Sequence, residues 1–141
     1  MTTNSDMTSG QVVKHYLDTF FKKDVDNTLA CLTDDVIWKV QGAPDVPTIG
    51  VRRGKDEVRA WMALFPVNFE PLDFQIERTF ENGDQVVMVG HFKHRILSTG
   101  KEFGSDFAAI CSVRDGKISA YNFIEDSYAL WRAFQHEDTG T

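Results

Sequence analysis

The sequence predicts an α+β fold, with helices gathered toward the N-terminus and a meander of long, mostly antiparallel strands after them. Three observations carry the prediction. Apolar residues recur at helical spacing up to about residue 65, and from residue 72 onward they alternate with polar ones at a period of two. Asn82-Gly83, Ser98-Thr99-Gly100 and Asp115-Gly116 punctuate the alternating segments, the last being a two-residue hairpin signal. Helices followed by strands, rather than strands interleaved with helices, is the α+β order.

The elements follow in chain order. Thr8 and Gln11 have capping-box spacing, and Val12, Val13, Tyr16, Leu17, Phe20 and Phe21 then lie at helical intervals, predicting a helix over 10–22. Asp24 or Asp26 can cap a short second helix with Val25, Leu29 and Leu32 on its apolar face, ended by Asp34-Asp35. A strand over 36–40 comes next. Residues 41–50 contain Pro44, Pro47 and two glycines and read as a loop or flap. A third helix after Gly54 carries Val58, Trp61, Met62 and Phe65 on one side and is expected to stop at Pro66. Leu72, Phe74, Ile76 and Phe80 alternate with polar residues in a half-buried strand; strands over 85–97, 103–113 and 117–125 follow, and residues 127–134 close with a helical turn or two.

A chain of 141 residues with 42% hydrophobic and 26% charged residues has room for one domain with a continuous core. That domain is expected over 10–134, between polar tails at 1–9 and 135–141. Fifteen basic against 21 acidic residues give a net charge of -6, with no basic stripe, which excludes nucleic acid as the expected partner. Cys31 and Cys111 sit in apolar surroundings without metal-ligand spacing, and His15, His91 and His94 form no ligand set, so no metal or cofactor is expected. No apolar run approaches the roughly 18 residues of a membrane span. A cytoplasmic protein is the expectation.

The late strands have two faces. Val86, Met88, Phe92, Phe103, Phe107, Ala109, Cys111, Tyr121 and Phe123 share one and are expected in the core. The other face, with Val87, Val89, His91, Lys93, Asp106, Ala108, Ile110, Asn122 and Ile124, is too apolar to be left to solvent, so a homodimer through this outer sheet face is expected.

Five segments resemble the SnoaL-like branch of the nuclear-transport-factor-two-like superfamily, which includes ketosteroid isomerases, limonene epoxide hydrolases and polyketide cyclases. They are Val12-Val13-Lys14-His15-Tyr16, Leu32-Thr33-Asp34-Asp35-Val36-Ile37-Trp38, Arg53-Gly54-Lys55-Asp56-Glu57-Val58, Val113-Arg114-Asp115-Gly116-Lys117-Ile118 and Glu125-Asp126. The resemblance implies a cone-shaped fold, a strongly curved sheet wrapped by three N-terminal helices, with a pocket between helix ends and the concave face. Carried over residue by residue, Tyr16 matches the tyrosine that holds the oxyanion in the isomerases. Their base falls on Val40 and their aspartic acid on Ala109, so that machinery is missing. The water-activating set of the epoxide hydrolases falls on Gly90, Phe92 and Phe123, and is missing too.

Three groups are left as candidates for chemistry. Tyr16 can donate a hydrogen bond to a carbonyl or enolate oxygen, or be a core tyrosine. Asp126 and Glu125 lie where the last strand leaves the sheet, at the rim where the resemblance places an acid/base residue; Asp126 can equally cap the last helix. Asp106 interrupts an apolar strand and is expected first as the ion-pair partner of His91 or Lys93, and less readily as a catalyst. A small hydrophobic or aromatic ligand is expected in an aromatic-walled pocket. Its lining is expected from Phe20, Trp38, Val40, Trp61 and Phe65 on the helical side. The sheet contributes Met88, Phe92, Phe107, Ala109, Tyr121 and Phe123. The chain then reads as an isomerase, cyclase or hydratase working by proton transfer, or as a non-catalytic binding or dimerisation module.

Overall fold

The computed structural model describes residues 7–136. Thr8 caps helix α1 (Ser9–Phe21): its hydroxyl accepts from the Gln11 amide while the Gln11 side chain accepts from the Thr8 amide. The helix thus begins ahead of the expected boundary at residue 10. At the other end Gln135 is held by its amide on Arg132 O and by Lys101 on its carbonyl, one residue past the expected limit of 134.

Helix α2 (Val25–Ala30) is capped by Asp24 and stops earlier than expected. Strand β1 (Leu32–Val40) already includes Asp34 and Asp35, because a register shift between Leu32 and Ile37 lets the Asp35 carboxylate turn out to Arg114 and Thr33. A loop over 41–49 leads to β2 (Gly50–Arg53), a short edge strand that the sequence pattern does not announce. Helix α3 (Gly54–Asn68) runs through Pro66 rather than stopping there. Pro66 sits in the last turn, where its missing N–H removes only the bond to the Met62 carbonyl, and beyond it the Leu64 and Phe65 carbonyls still find partners in the Asn68 side chain and the Phe69 amide.

Four long strands complete the sheet: β3 (Phe69–Asn82), β4 (Gln85–Ile96), β5 (Glu102–Arg114) and β6 (Lys117–Ile124), followed by α4 (Ser127–Ala133). The order is β2-β1-β6-β5-β4-β3, antiparallel throughout except for the β1–β6 pair. This is the α+β architecture read from the sequence, a curved, unclosed sheet against helices. Asp115 and Gly116 both adopt positive φ, as the two-residue turn between β5 and β6 demands.

The expected inner face is the core. Val86, Met88, Phe92, Phe103, Phe107, Ala109, Cys111 and Tyr121 are all buried. The outer face is open in the single chain, with Ile110 and Ile124 exposed at 40% and 38%. Strand β3 departs from its simple alternation. Its register shifts between the Ile76–Gly90 and Arg78–Val89 pairs, so the parity flips there. Phe74 stays inside opposite Phe92, whereas Phe80 faces out opposite Val87 and is 54% exposed. Leu72 is also exposed, unpaired at a second shift between Pro71 and Asp73 on the edge strand.

Gly90 is required at this kink. A Cβ there would overlap the Gln75 carbonyl oxygen and press on the Phe107 ring, and neither backbone nor a buried ring can yield cheaply. Gly90→Ala is therefore expected to destabilise the fold by about 3 kcal/mol. Chemical denaturation with the Gly104→Ala variant as control checks this, since a Cβ at Gly104 meets only ordinary contact.

Candidate functional site

A cavity lies between α1, α3 and the concave face of the sheet. Tyr16, Leu17, Phe20 and Phe21 come from α1, Trp38 and Val40 from β1, and Trp61 and Phe65 from α3. Phe74, His94, Tyr121, Phe123 and Glu125 complete the sheet side, and Thr48 of the 41–49 loop reaches in as well. The loop is pinned there. Trp61 Nε1 donates to Thr48 O at 3.0 Å, Arg52 donates to the Thr48 and Pro47 carbonyls, and Trp131 Nε1 donates to Asp45 at 3.0 Å. The cavity volume is about 60 Å³.

Its wall is aromatic and continuous. Trp38 stacks on Tyr121 at 5.3 Å with planes 8° apart and lies 4.2 Å from Trp61, while Phe20 lies 5.0 Å from Phe65. Tyr16, Glu125, His94, Tyr121 and Thr48 bring polar side chains to it, and the first three are the ones that bear on chemistry. The buried Tyr16 hydroxyl accepts from Trp38 Nε1 at 2.8 Å, and its own proton has no acceptor among the described residues. Burial pushes the phenol far above its usual pKa, so it is an undissociated donor at any ordinary pH.

Glu125 directly follows β6 and is partly buried among the rings, with no hydrogen-bond or ion-pair partner among the described residues. Loss of solvation, assisted by the neighbouring Asp126 charge, raises its carboxyl from 4.5 to about 8. His94 is 7% exposed on β4. Its Nδ1 lies 3.1 Å from the Lys93 carbonyl, which can only accept, so Nδ1 carries the proton and Nε2 keeps a lone pair. Burial lowers this imidazole to about 4. At neutral pH the site holds a protonated glutamic acid and a neutral histidine, so neither buried group adds a charge to the cavity.

The expected site residues divide accordingly. Tyr16, Glu125, Phe20, Trp38, Val40, Trp61, Phe65, Tyr121 and Phe123 meet at the cavity. Met88, Phe92, Phe107 and Ala109 do not line it; they stand one layer behind, with Phe107 5.1 Å from Phe123 and Phe92 4.7 Å from His94. Asp126 points away from the cavity, exposed, and caps α4 through Oδ1 to the Ala129 amide at 3.0 Å. Asp106 is exposed and forms neither expected ion pair. His91 instead faces Glu77 at 2.8 Å and Asp73 at 3.6 Å, and Lys93 faces Glu102 at 3.6 Å. Strand β3 competes for His91 because it supplies two carboxylates where β5 supplies one. His94, which the sequence pattern reads as a surface or hydrogen-bonded group, joins the site; it shares the strand parity of Met88 and Phe92, and that is the signal for it.

A curved sheet against helices, with an aromatic cavity between them, is a cone fold, and comparison of whole structures agrees on that fold. The fold is similar to that of an NTF2-like protein from Burkholderia xenovorans LB400, 25% identical, with a TM-score of 0.84 over 96% of this chain and 99% of that one. An NTF2-like protein from Burkholderia thailandensis E264 matches at 23% identity and a TM-score of 0.79 over 92% of this chain and 98% of that one. An LEH-like epoxide hydrolase from M. tuberculosis matches at 18% identity and a TM-score of 0.68 over 89% of this chain and 87% of that one. No curated protein matches the sequence. The SnoaL-like domain family matches residues 13–121, and the chain belongs to that family. Among the described residues no helix is long and apolar enough to cross a membrane.

The two buried groups act on stability in opposite directions. Glu125, raised in the fold, contributes its favourable protonated state fully below 4.5, and the fold loses that contribution as pH rises through about 8. His94, lowered in the fold, contributes above 6.5 and loses that contribution as pH falls through about 4. The two slopes oppose each other between 4.5 and 6.5, and only the Glu125 slope remains between 6.5 and 8. Glu125→Gln is thus expected to be more stable than the parent at pH 8.5 by a few kcal/mol, since each tenfold change in proton affinity is worth about 1.4 kcal/mol, and to equal it near pH 4.5. Thermal denaturation across pH 4.5–8.5 measures both ends.

Proposed function

We propose that the chain is a cofactor-free proton-transfer catalyst for small apolar carbonyl compounds, of the isomerase, cyclase or hydratase kind. One observation carries this reading: the Glu125 carboxyl, with no hydrogen-bond or ion-pair partner among the described residues, lines the same aromatic cavity as a Tyr16 hydroxyl with a proton to donate. A pocket that only bound apolar molecules would gain nothing from a carboxyl whose burial is costly.

In the proposed cycle the ionised Glu125 takes a proton from the carbon next to the carbonyl. The C–H electron pair becomes the C=C bond of an enolate, and the carbonyl pair moves onto oxygen. The Tyr16 O–H donates to that oxyanion, its ring held in place by the Trp38 indole. In a β,γ-unsaturated carbonyl compound the enolate is a dienolate; the Glu125 carboxylic acid returns its proton to the γ-carbon, whose C=C pair takes it while the α-carbon becomes doubly bonded to the β-carbon and the carbonyl re-forms, an isomerisation that consumes no oxidant or reductant. His94 Nε2, a bare lone pair, fits the role of acceptor for a substrate hydroxyl. Tyr16 fills the role of the isomerase tyrosine, whereas the base enters from the end of β6 rather than from the position of Val40.

Deuterium exchange at the α-carbons of cyclopentanone and cyclohexanone in D₂O, followed by NMR, tests the reading. The exchange rate is expected to exceed that of protein-free buffer and to rise with pH until it levels above about 8, where Glu125 is ionised. Glu125→Gln is expected to lower it by about 10²–10⁴-fold and Tyr16→Phe by about 10²–10³-fold. Tyr16→Phe also strands the Trp38 N–H at a stability cost of about 1–3 kcal/mol, so rates belong at a temperature where both variants are folded. Exchange that is the same in Glu125→Gln as in the parent would leave the non-catalytic binding module as the correct description.

A further inference from the structure

The cavity, about 60 Å³, can take only the end of a long carbonyl compound, and a much larger apolar groove adjoins it. The groove, about 730 Å³, runs between the α1–α2 turn, α3 and the start of β3, over Met62, Pro66 and Leu97. Cavity and groove have Phe20, Phe21 and Phe65 in common, so the partition between them is made of side-chain rings rather than backbone. Phe20 meets Phe21 and Phe65 edge-on, each at 5.0 Å, and all three residues are only partly buried. Rotation of such rings about χ1 opens a passage without unfolding an element.

The rim of the groove is basic. Lys23 lies in the turn after α1 with φ of 62°, a left-handed conformation that a lysine adopts only at a cost, and its ammonium has no carboxylate partner among the described residues. Arg59 is exposed and held only loosely, 3.9 Å from Asp26. The one carboxylate on the rim, Glu70, is engaged by Arg95 at 3.1 Å. In a protein of net charge -6, an apolar trough edged by two available cations is complementary to an apolar molecule that ends in an anion.

We propose that groove and cavity are the two halves of one binding site, whose substrate has a carbonyl end in the cavity, an apolar body in the groove and a carboxylate at Lys23. The assignment of the carbonyl end rests on the catalytic reading above; the carboxylate end does not. The substrate class is therefore an oxo-acid with a hydrophobic middle, linear or cyclic, too long for the cavity alone.

Decanoate and 1-decanol, equal in chain and different in charge, are the probes, titrated calorimetrically into the full chain at low salt. Decanoate is expected to bind about fivefold more tightly than decanol. Lys23→Gly, which removes the charge and relieves the left-handed strain, is expected to abolish that preference, and Lys23→Arg to retain it. Ala63→Trp, on the exposed groove side of α3, is expected to block both probes. Equal affinity for the two probes, an unchanged preference in Lys23→Gly, or full binding in Ala63→Trp would each overturn the proposal. Decanoate binding is read without turnover, so its loss alongside intact Glu125-dependent exchange sinks this inference alone, and the converse result sinks only the catalytic reading.

Discussion

The hydrogen bond from the Trp38 indole to the Tyr16 hydroxyl joins helix α1 to an interior strand of the sheet at the cavity wall, and the architecture of the site depends on it. Both groups are buried, and each would cost about 1–3 kcal/mol if left without a partner. Satisfying the indole with a phenol has a further effect, because a hydroxyl can accept and donate at once. The bond fixes the ring of Tyr16 while leaving its proton available. Around that fixed point Trp38 stacks on Tyr121 and packs on Trp61, which in turn secures the 41–49 loop through the Thr48 carbonyl. One interaction thus couples α1, β1, β6, α3 and the loop that reaches over the cavity.

Apolar surroundings are the second constraint, and they follow from the first. Among the rings a charged group loses solvation, so Glu125 and His94 are both pushed toward their neutral forms. The dipeptide Glu125-Asp126 shows how narrowly this is set. Asp126 faces solvent and does structural work as the α4 cap, while its neighbour turns into the cavity and has its carboxyl raised to about 8. The cap anchors the start of α4 directly after the turn, which holds the backbone that aims Glu125 inward. Two adjacent carboxylates of the same sequence motif thereby receive opposite environments and opposite tasks.

Much of this is legible in the sequence. The Thr8–Gln11 capping box, the Asp115-Gly116 hairpin and the inner-face parity of β4, β5 and β6 are local signals, and each reappears in the structure because near neighbours alone decide it. What escapes depends on partners distant in sequence. The parity flip in β3 arises where the Gln75 carbonyl closes on Gly90, a contact between strands, and so alternation alone puts Phe80 on the wrong face. Pro66 fails as a stop signal because it stands in the last turn of α3, where it removes a single bond and the carbonyls beyond it are satisfied by Asn68 and Phe69. At the site, parity sends Met88, Phe92, Phe107 and Ala109 to the cavity wall when they form the layer behind it, since it distinguishes inside from outside but not depth. His94 is hidden by its charged neighbours Lys93 and Arg95, which suggest a surface segment, although alternation along the strand sends the middle residue of the three inward.

The raised carboxyl also decides how much such a base could do. At pH 7 a group that titrates near 8 is ionised about one time in ten, so keeping Glu125 protonated most of the time forgoes about 1.4 kcal/mol of available base. In return the ionised form binds a proton more than about a thousandfold more tightly than an ordinary glutamate at 4.5. Proton abstraction from carbon responds to base strength, so partial expression of that gain in the transition state outweighs a tenfold loss of population. For the proposed reaction a neutral resting state has a second advantage: an uncharged cavity would admit apolar substrates without displacing a solvated ion, and charge would appear only as the reaction began. Asp126 and Asp106, on the exposed surface, have no such surroundings. Burial that is unfavourable for the stability of the fold is, by this argument, what suits Glu125 to the proposed chemistry.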